Sequence, residues 1–310
     1  MRFLTLHTLL LAAVPIFALG FAGEASVVTI NLDNVLLIDG KRIFPIGFTM
    51  PPPLDGKTPE GRNGLQELAE AGATFMHTGT QGENWNAATI ILGTDIYPIS
   101  YPPGTHSLLT NKNISLVGDH TRIMMEVAEG KLPVWMALQI SWSGVLKPGK
   151  TLRFPTFPEE RFMAYQAVIN GARGLNFFGG SNPTSLNAED AKLGWNWTFW
   201  RRVMRPLMDE IGPKSLLYPA LVAPNSKLPV KVSDADNMEF CVREANKDLF
   251  ILACKREGVT AKVEFSGLPA SASEAEVMFE SPRTVKAKDG KFTDWFAPFE
   301  VHVYRFKLQP

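Results

Sequence analysis

Val27 to Ile38 is a run of mostly β-branched and leucine positions, and Asp39-Gly40 follows it as a hairpin-type turn. Arg42 to Phe48 reads as an apolar strand that ends in the loop Met50-Pro51-Pro52-Pro53. Residues 64–71 (GLQELAEA) carry helical spacing and Gly72 stops them; residues 73–77 (ATFMH) read as a buried strand. Strand, loop, helix, strand is the order of a βαβ unit. The pattern resumes with a strand over 90–99, a helix over 119–128 ahead of Gly130, and a strand over 134–140. A helix over 158–172 follows, opened by Pro158 and closed by Gly174, then a strand over 175–178. A last amphipathic helix covers 197–211, where Pro206 is expected to kink it.

The period then shortens. Prolines at 219, 224 and 229 mark a linker, and the runs MEFCVRE, LFILACK, AKVEFSG, EAEVMFE and VHVYRFKL alternate between turn signals. That spacing predicts an antiparallel β-sandwich of about 80 residues. The first residues differ from both regions. Arg2 is the one fixed charge before Glu24, and an apolar run extends from Leu9 to Phe21, broken by Pro15. Small residues close it at Gly20, Ala22, Gly23 and Ala25. This is the order of a secretory signal, and the run is shorter than the ~20 residues that span a bilayer. The expected division is a signal peptide over 1–25, a (β/α) barrel-like domain over 26–218 and a C-terminal sandwich over 219–310. A secreted or periplasmic protein with no integral membrane segment after signal removal follows from it.

Composition removes several function classes. Lys plus Arg and Asp plus Glu number 31 each among 310 residues, so no basic surplus points to nucleic acid. The two cysteines, Cys241 and Cys254, lie in β-like runs joined by Asn246-Lys247-Asp248. One hairpin register sets them opposite each other, a slip of one residue sets them on opposite faces, and two separately buried thiols are equally open. Neither they nor the five histidines show metal-ligand spacing. No phosphate loop with its lysine and no G-x-S-x-G element occurs, so no metal and no cofactor are expected.

The strands number five, and the βα region runs over about 190 residues, 27 to 218. A closed (β/α) barrel has eight strands in typically about 250 residues. The shortfall is local. The loop Thr78 to Asn86 (TGTQGENWN) leads through Ala87-Ala88-Thr89 into the next strand without helical period or caps. The segments DGKRIFPIGFTM, GATFMHTGTQGENWNAAT, ILGTDIYPISYPP, LPVWMALQISWSG, RFPTFPEERFMAYQAVINGARGLNFFGG and FAPFEVHVYRF carry a family resemblance. Through them the chain resembles a bacterial-type glycoside hydrolase of the clan A barrel superfamily. The resemblance implies an α/β fold: an incomplete TIM-type (β/α) barrel, internally shortened near 86–90, followed by the sandwich. Its strands correspond to the first, second, sixth, seventh and eighth of the barrel, with no counterpart for strands three to five.

The resemblance also implies a saccharide site at the C-terminal face of the strands, with carbohydrate as the partner. Glycosidases use two carboxylates, one protonating the leaving oxygen and one acting as nucleophile or activating water. In such relatives the first follows the fourth strand, which has no counterpart here. The second ends the seventh, where this chain has Gln139, an amide that cannot be a nucleophile. Asp95, inside GTDIYPI near a strand end, is the candidate catalytic residue; its alternative role is to cap a loop. His77, Glu83, Tyr97, Gln139, Trp142 and Phe178 are candidate substrate-binding residues at strand ends or in the loops behind them. Aromatic rings stack on the C–H faces of sugars. Core packing is the competing role for each ring. Glu159 and Glu160 are read as first-turn charges that favour the helix dipole. Two functions follow: a glycoside hydrolase, impaired or inactive as written, or a non-catalytic carbohydrate-binding or structural protein.

Overall fold

The computed structural model describes residues 26–76, 91–100, 102–104, 107–141 and 153–308. The chain is a mixed α/β protein with one parallel sheet and three antiparallel ones. β1 (Val28–Ile30), β2 (Leu36–Ile38) and β3 (Lys41–Ile43) form a small antiparallel sheet. Asp39 and Gly40 have φ of 50° and 76° at its second turn, the left-handed pair of a type I′ hairpin. The apolar run over 42–48 divides at Pro45, and its second half is β4 (Ile46–Phe48) of the parallel sheet.

α1 (Gly64–Ala71) is capped by Asn63, whose side chain accepts the Gln66 N–H, and ends at Gly72 with φ 114°. β5 (Phe75–Met76) and β6 (Asp95–Ile96) follow, then α2 (Leu116–Ala128), β7 (Trp135–Gln139), α3 (Phe157–Ile169) and β8 (Gly174–Phe178). Thr156 and Glu159 form a capping box at the start of α3. α4 (Ala188–Leu193) and α5 (Trp197–Phe199) lead through a π-type turn, Trp200–Met204, into α6 (Arg205–Ile211) and α7 (Tyr218–Leu221). The expected kink at Pro206 takes this form. Proline offers no N–H, and the Arg205 N–H reaches back five residues to the Trp200 carbonyl.

The parallel sheet has the order β5-β4-β8-β7-β6. Its pairs align Phe75, Gly47, Asn176, Ala137 and Asp95 in one row, and Met76, Phe48, Phe177, Leu138 and Ile96 in the next. Adjacent rows point to opposite faces. The second row belongs to the main core with residues of α2, α3 and α6. The first row lies on the other face, where Phe75, Asn176 and Ala137 are half-buried and Asp95 is exposed. Parallel sheets ordinarily have both faces covered. Two aromatic side chains roof the lower part of this one. The Trp135 indole lies over Gly174, the Phe75 ring lies over Gly47, and the two ring centroids are 5.3 Å apart.

β9 (Lys231–Val232) to β16 (Val301–Lys307) build two antiparallel sheets. β10 (Met238–Ala245), β11 (Asp248–Lys255), β16, β13 (Glu274–Met278) and β14 (Thr284–Lys286) form one, in that order. β15 (Lys291–Phe296), β12 (Ala261–Ser266) and β9 form the other. Both contribute to one core that includes Leu249, Ile251, Val263, Phe265, Phe292 and Tyr304. Cys241 pairs with Leu252 and Cys254 with Glu239, so the cysteines share a face two positions out of step. Both are free, buried thiols.

The five-stranded antiparallel sheet shares the main core, to which it contributes Phe250, Leu252, Val301 and Val303. Charged side chains fix the contact. Arg161 Nε donates to both oxygens of Glu210 at 2.9 and 2.8 Å, Nη1 donates to the Val301 carbonyl, and the Tyr165 hydroxyl donates to Glu210. Arg122 and Arg256 together bind Asp119 and Glu239. Arg42 holds the Val222 carbonyl, while Arg173 and Arg243 hold that of Ala223, so the proline-marked linker is pinned at its backbone. Burial lowers the Arg173 guanidinium to about 10.

Candidate functional site

Asp95 stands at the edge of the parallel sheet, paired with Ala137 in the row that faces away from the helices. The Tyr97 hydroxyl donates to Asp95 Oδ2 at 3.0 Å. Burial first, then the Asp95 charge, pushes the Tyr97 phenol far above its ordinary value, so it keeps the proton it donates. The Phe178 ring meets Tyr97 edge-on, with centroids 5.6 Å apart and planes at 85°. Three of the expected site residues therefore form one cluster at the C-terminal ends of β6 and β8, although Phe178 is about 80 positions from Asp95 and Tyr97 in sequence.

Gln139 is placed otherwise than expected for a sugar contact. It is fully buried, Oε1 accepts the Ile99 N–H at 2.8 Å, and Nε2 donates to the Ile99 carbonyl at 2.8 Å. The side chain imitates a strand partner and clamps the segment behind Tyr97 onto β7. Its role is positioning. His77, Glu83 and Trp142 lie outside the described residues, as do the expected signal peptide and the expected shortening near 86–90.

A cavity of about 240 Å³ opens at the β6 edge of the sheet, lined by Thr94, Asp95, Ile96, Tyr97, Gly104 and Ser107 and, from α2, by Leu116 and His120. Ser107 Oγ and His120 Nε2 share a hydrogen bond of 3.0 Å, and burial lowers the His120 imidazole, keeping it neutral at pH 7. Neither residue stands out in the sequence, because a loop serine and a helix histidine show no common spacing. Asn176 was also missed, and it did leave a signal: an amide inside the apolar strand LNFF. Its Oδ1 is buried on the same face as Asp95, with no partner among the described residues. A larger cavity, about 390 Å³, lies between Ile99, Lys112, Arg153 and Phe299 and holds none of the candidate residues.

Among the described strand residues Asp95 is the one carboxylate on the helix-free face. Among the described residues no cluster of three or more His, Cys, Asp or Glu could hold a metal ion, and no helix is long and apolar enough to cross a membrane. Trp195, Trp197 and Trp200 are buried and pack with one another, and Trp195 and Trp200 also meet Phe48, so these indoles belong to the core.

No family model and no curated protein matches the chain. Solved structures similar to it include glycoside hydrolases. An α-amylase from Anoxybacillus aligns over 64% of this chain and 45% of its own, at 12% identity and a TM-score of 0.39. A family 30 endoxylanase from Clostridium papyrosolvens aligns over 70% and 48%, at 10% identity and 0.36. The Geobacillus thermoleovorans α-amylase, solved with acarbose, aligns over 63% and 42%, at 12% identity and 0.37. The chain thus spans less than half the length of each. At scores this low the likeness decides nothing about activity, and the residues on the helix-free face carry the functional reading.

Proposed function

We propose that this is a glycoside-hydrolase-like protein that binds a saccharide at the C-terminal ends of its parallel strands. The carrying observation is the Asp95–Tyr97–Phe178 cluster beside a polar cavity. A pyranose has apolar C–H faces and a rim of hydroxyls. Phe178 and Tyr97 suit the first, and Asp95 with Asn176 Oδ1 suits the second. In this reading residues 26–218 are an incomplete (β/α) barrel, 219–310 are a β-sandwich, and 1–25 direct secretion. The order β5-β4-β8-β7-β6 supports the first of these, since it is the order left when three consecutive strands are removed from a closed parallel barrel.

One observation favours a non-catalytic carbohydrate-binding protein as the second reading. Asp95 has no partner carboxylate among the described strand residues of its face, whereas glycoside hydrolysis ordinarily needs two. Aryl glycosides and oligosaccharides offered to the mature chain separate the two. Turnover abolished by Asp95→Asn supports the enzyme; binding without turnover supports the binder; neither binding nor turnover overturns both.

A further inference from the structure

A third cavity, about 380 Å³, lies outside the C-terminal ends of β7 and β8. One wall is Phe154 to Phe157, the segment that leads from β7 into α3; the other comes from Ser185, Asn187 and residues 196–203, behind β8. The Phe154 and Phe199 rings meet there with centroids 5.7 Å apart, and Phe154 and Phe157 are half-buried.

Two donors here, on Asn196 and Arg202, have no acceptor among the described residues, whereas Thr156, Ser185, Asn187 and Thr198 are already hydrogen-bonded. Asn196 is 5% exposed, and its Oδ1 accepts the Phe199 N–H at 3.2 Å as a helix cap. Its Nδ2 is buried with no partner. An amide nitrogen left so has lost its water without a replacement, and an incoming acceptor relieves it. Arg202 lines the same cavity, is exposed, and has no ion pair or hydrogen bond among the described residues. Its neighbours differ: Arg201 pairs with Glu60, and Arg205 with Glu67 and Asp209. The π-type turn Trp200–Met204 sets Arg202 and Val203 on the cavity wall. Turns of this kind recur at functional sites. Asp190, a nearby carboxylate, is already satisfied by the Thr198 N–H and the Asn187 amide.

We propose that this cavity is a second subsite, which takes the carboxylate of an acidic saccharide. The guanidinium receives the carboxylate in a planar two-point contact, Asn196 Nδ2 supplies a further donor, and the ring of the sugar lies against Phe154 and Phe157. This rests on the reading of the protein as a saccharide binder, and adds to it the charge of the sugar.

The test is calorimetric titration of the mature protein with oligosaccharides of galacturonate, glucuronate and mannuronate. Each is paired with its carboxyl-reduced, neutral counterpart, and inorganic phosphate serves as a simple anion. At least one acidic oligosaccharide is expected to bind roughly ten-fold more tightly than its reduced form, with the advantage shrinking as salt rises. Arg202→Met removes the advantage and leaves binding of the reduced form unchanged. Asn196→Asp keeps the capping oxygen while replacing the donor by a charge, and it also removes the advantage. Melting temperatures near that of the wild type exclude misfolding of either variant. Equal binding of acidic and reduced forms, an unchanged preference in Arg202→Met, or competition by phosphate at equal concentration overturns the proposal. Neutral binding that survives here and is lost in Asp95→Ala leaves the main site standing while this one falls. No binding of any saccharide overturns both.

Discussion

Replacing Glu160 by methionine should make this protein more stable. Glu159 and Glu160 are neighbours in the first turn of α3, yet only Glu159 behaves as a first-turn charge, capping the helix with Thr156 and pairing with Arg153. Glu160 is completely buried and neither carboxyl oxygen has a partner. Burial, with a smaller contribution from the Glu159 charge, pushes its carboxyl well above the usual range. An unmet buried polar group costs about 1–3 kcal/mol, and methionine fills nearly the same volume without one. At about 2–4 °C per kcal/mol for a chain near this size, Glu160→Met melts about 2 to 12 °C higher than the wild type. The pH dependence isolates the cause. An unfolded glutamate ionises near pH ~4.3, while the folded group holds its proton to higher pH. Stability of the wild type relative to Glu160→Gln is therefore greatest below that value. It falls as pH rises, by up to ~1.4 kcal/mol per unit, until the folded carboxyl itself ionises. Thermal melts of the three proteins between pH 4 and 8.5 read both effects. A lower melting point for Glu160→Met, or a gap between wild type and Glu160→Gln that stays constant with pH, refutes the reasoning.

Other residues give sharper local tests. Gln139→Glu loses the donor to the Ile99 carbonyl and sets a charge against that oxygen, so it should destabilise by roughly 3–5 kcal/mol in denaturant melts and generate no hydrolysis. A Cβ added at Gly47 falls inside the Phe75 ring, so Gly47→Ala should cost about 1–3 kcal/mol, and much less in a Phe75→Ala background. Tyr97→Phe keeps the ring contact with Phe178 and removes the hydroxyl held by Asp95. It should lower saccharide affinity about ten-fold and the melting point by about 3 to 12 °C, as loss of a hydrogen bond to a charged carboxylate, worth about 1.5–3 kcal/mol, requires.

The sequence made local features legible and left long-range ones open. Asp39-Gly40 announces its own hairpin and Pro158 marks the start of α3, because turn and cap chemistry acts over a few residues; the expected stop at Gly174 is wrong, since α3 ends at Ile169 ahead of the left-handed Gly171 and Gly174 opens β8. Asp95 is legible as a candidate because it interrupts an apolar run near a strand end, where parallel folds place their sites, while its hydrogen bond from Tyr97 is not. Gln139 was not readable as a clamp: its partner, Ile99, is 40 positions away, and only the β6–β7 register brings them together. Register also decides the cysteines: their offset of two residues matches neither register derived from the turn, and the remaining alternative, two unlinked buried thiols, is the one observed. Glu159 and Glu160 look alike in sequence and differ by about 100° around the helix, which leaves one half-buried beside Thr156 and Arg153 and carries the other into the core. Pairing of Ser107 with His120 depends on how a loop folds over α2, and no periodicity encodes that.

The most direct measurement is the titration of the mature protein with an oligosaccharide panel, comparing wild type, Asp95→Ala and Trp295→Ala. Asp95 and Trp295 are both exposed, one beside the cavity at the parallel sheet and the other on β15 of the antiparallel region, with Trp295 59% accessible. The account predicts that a saccharide bound by the wild type loses at least ten-fold in affinity with Asp95→Ala and is held equally well by Trp295→Ala. Unchanged affinity in Asp95→Ala, or loss confined to Trp295→Ala, contradicts a saccharide site at the ends of the parallel strands.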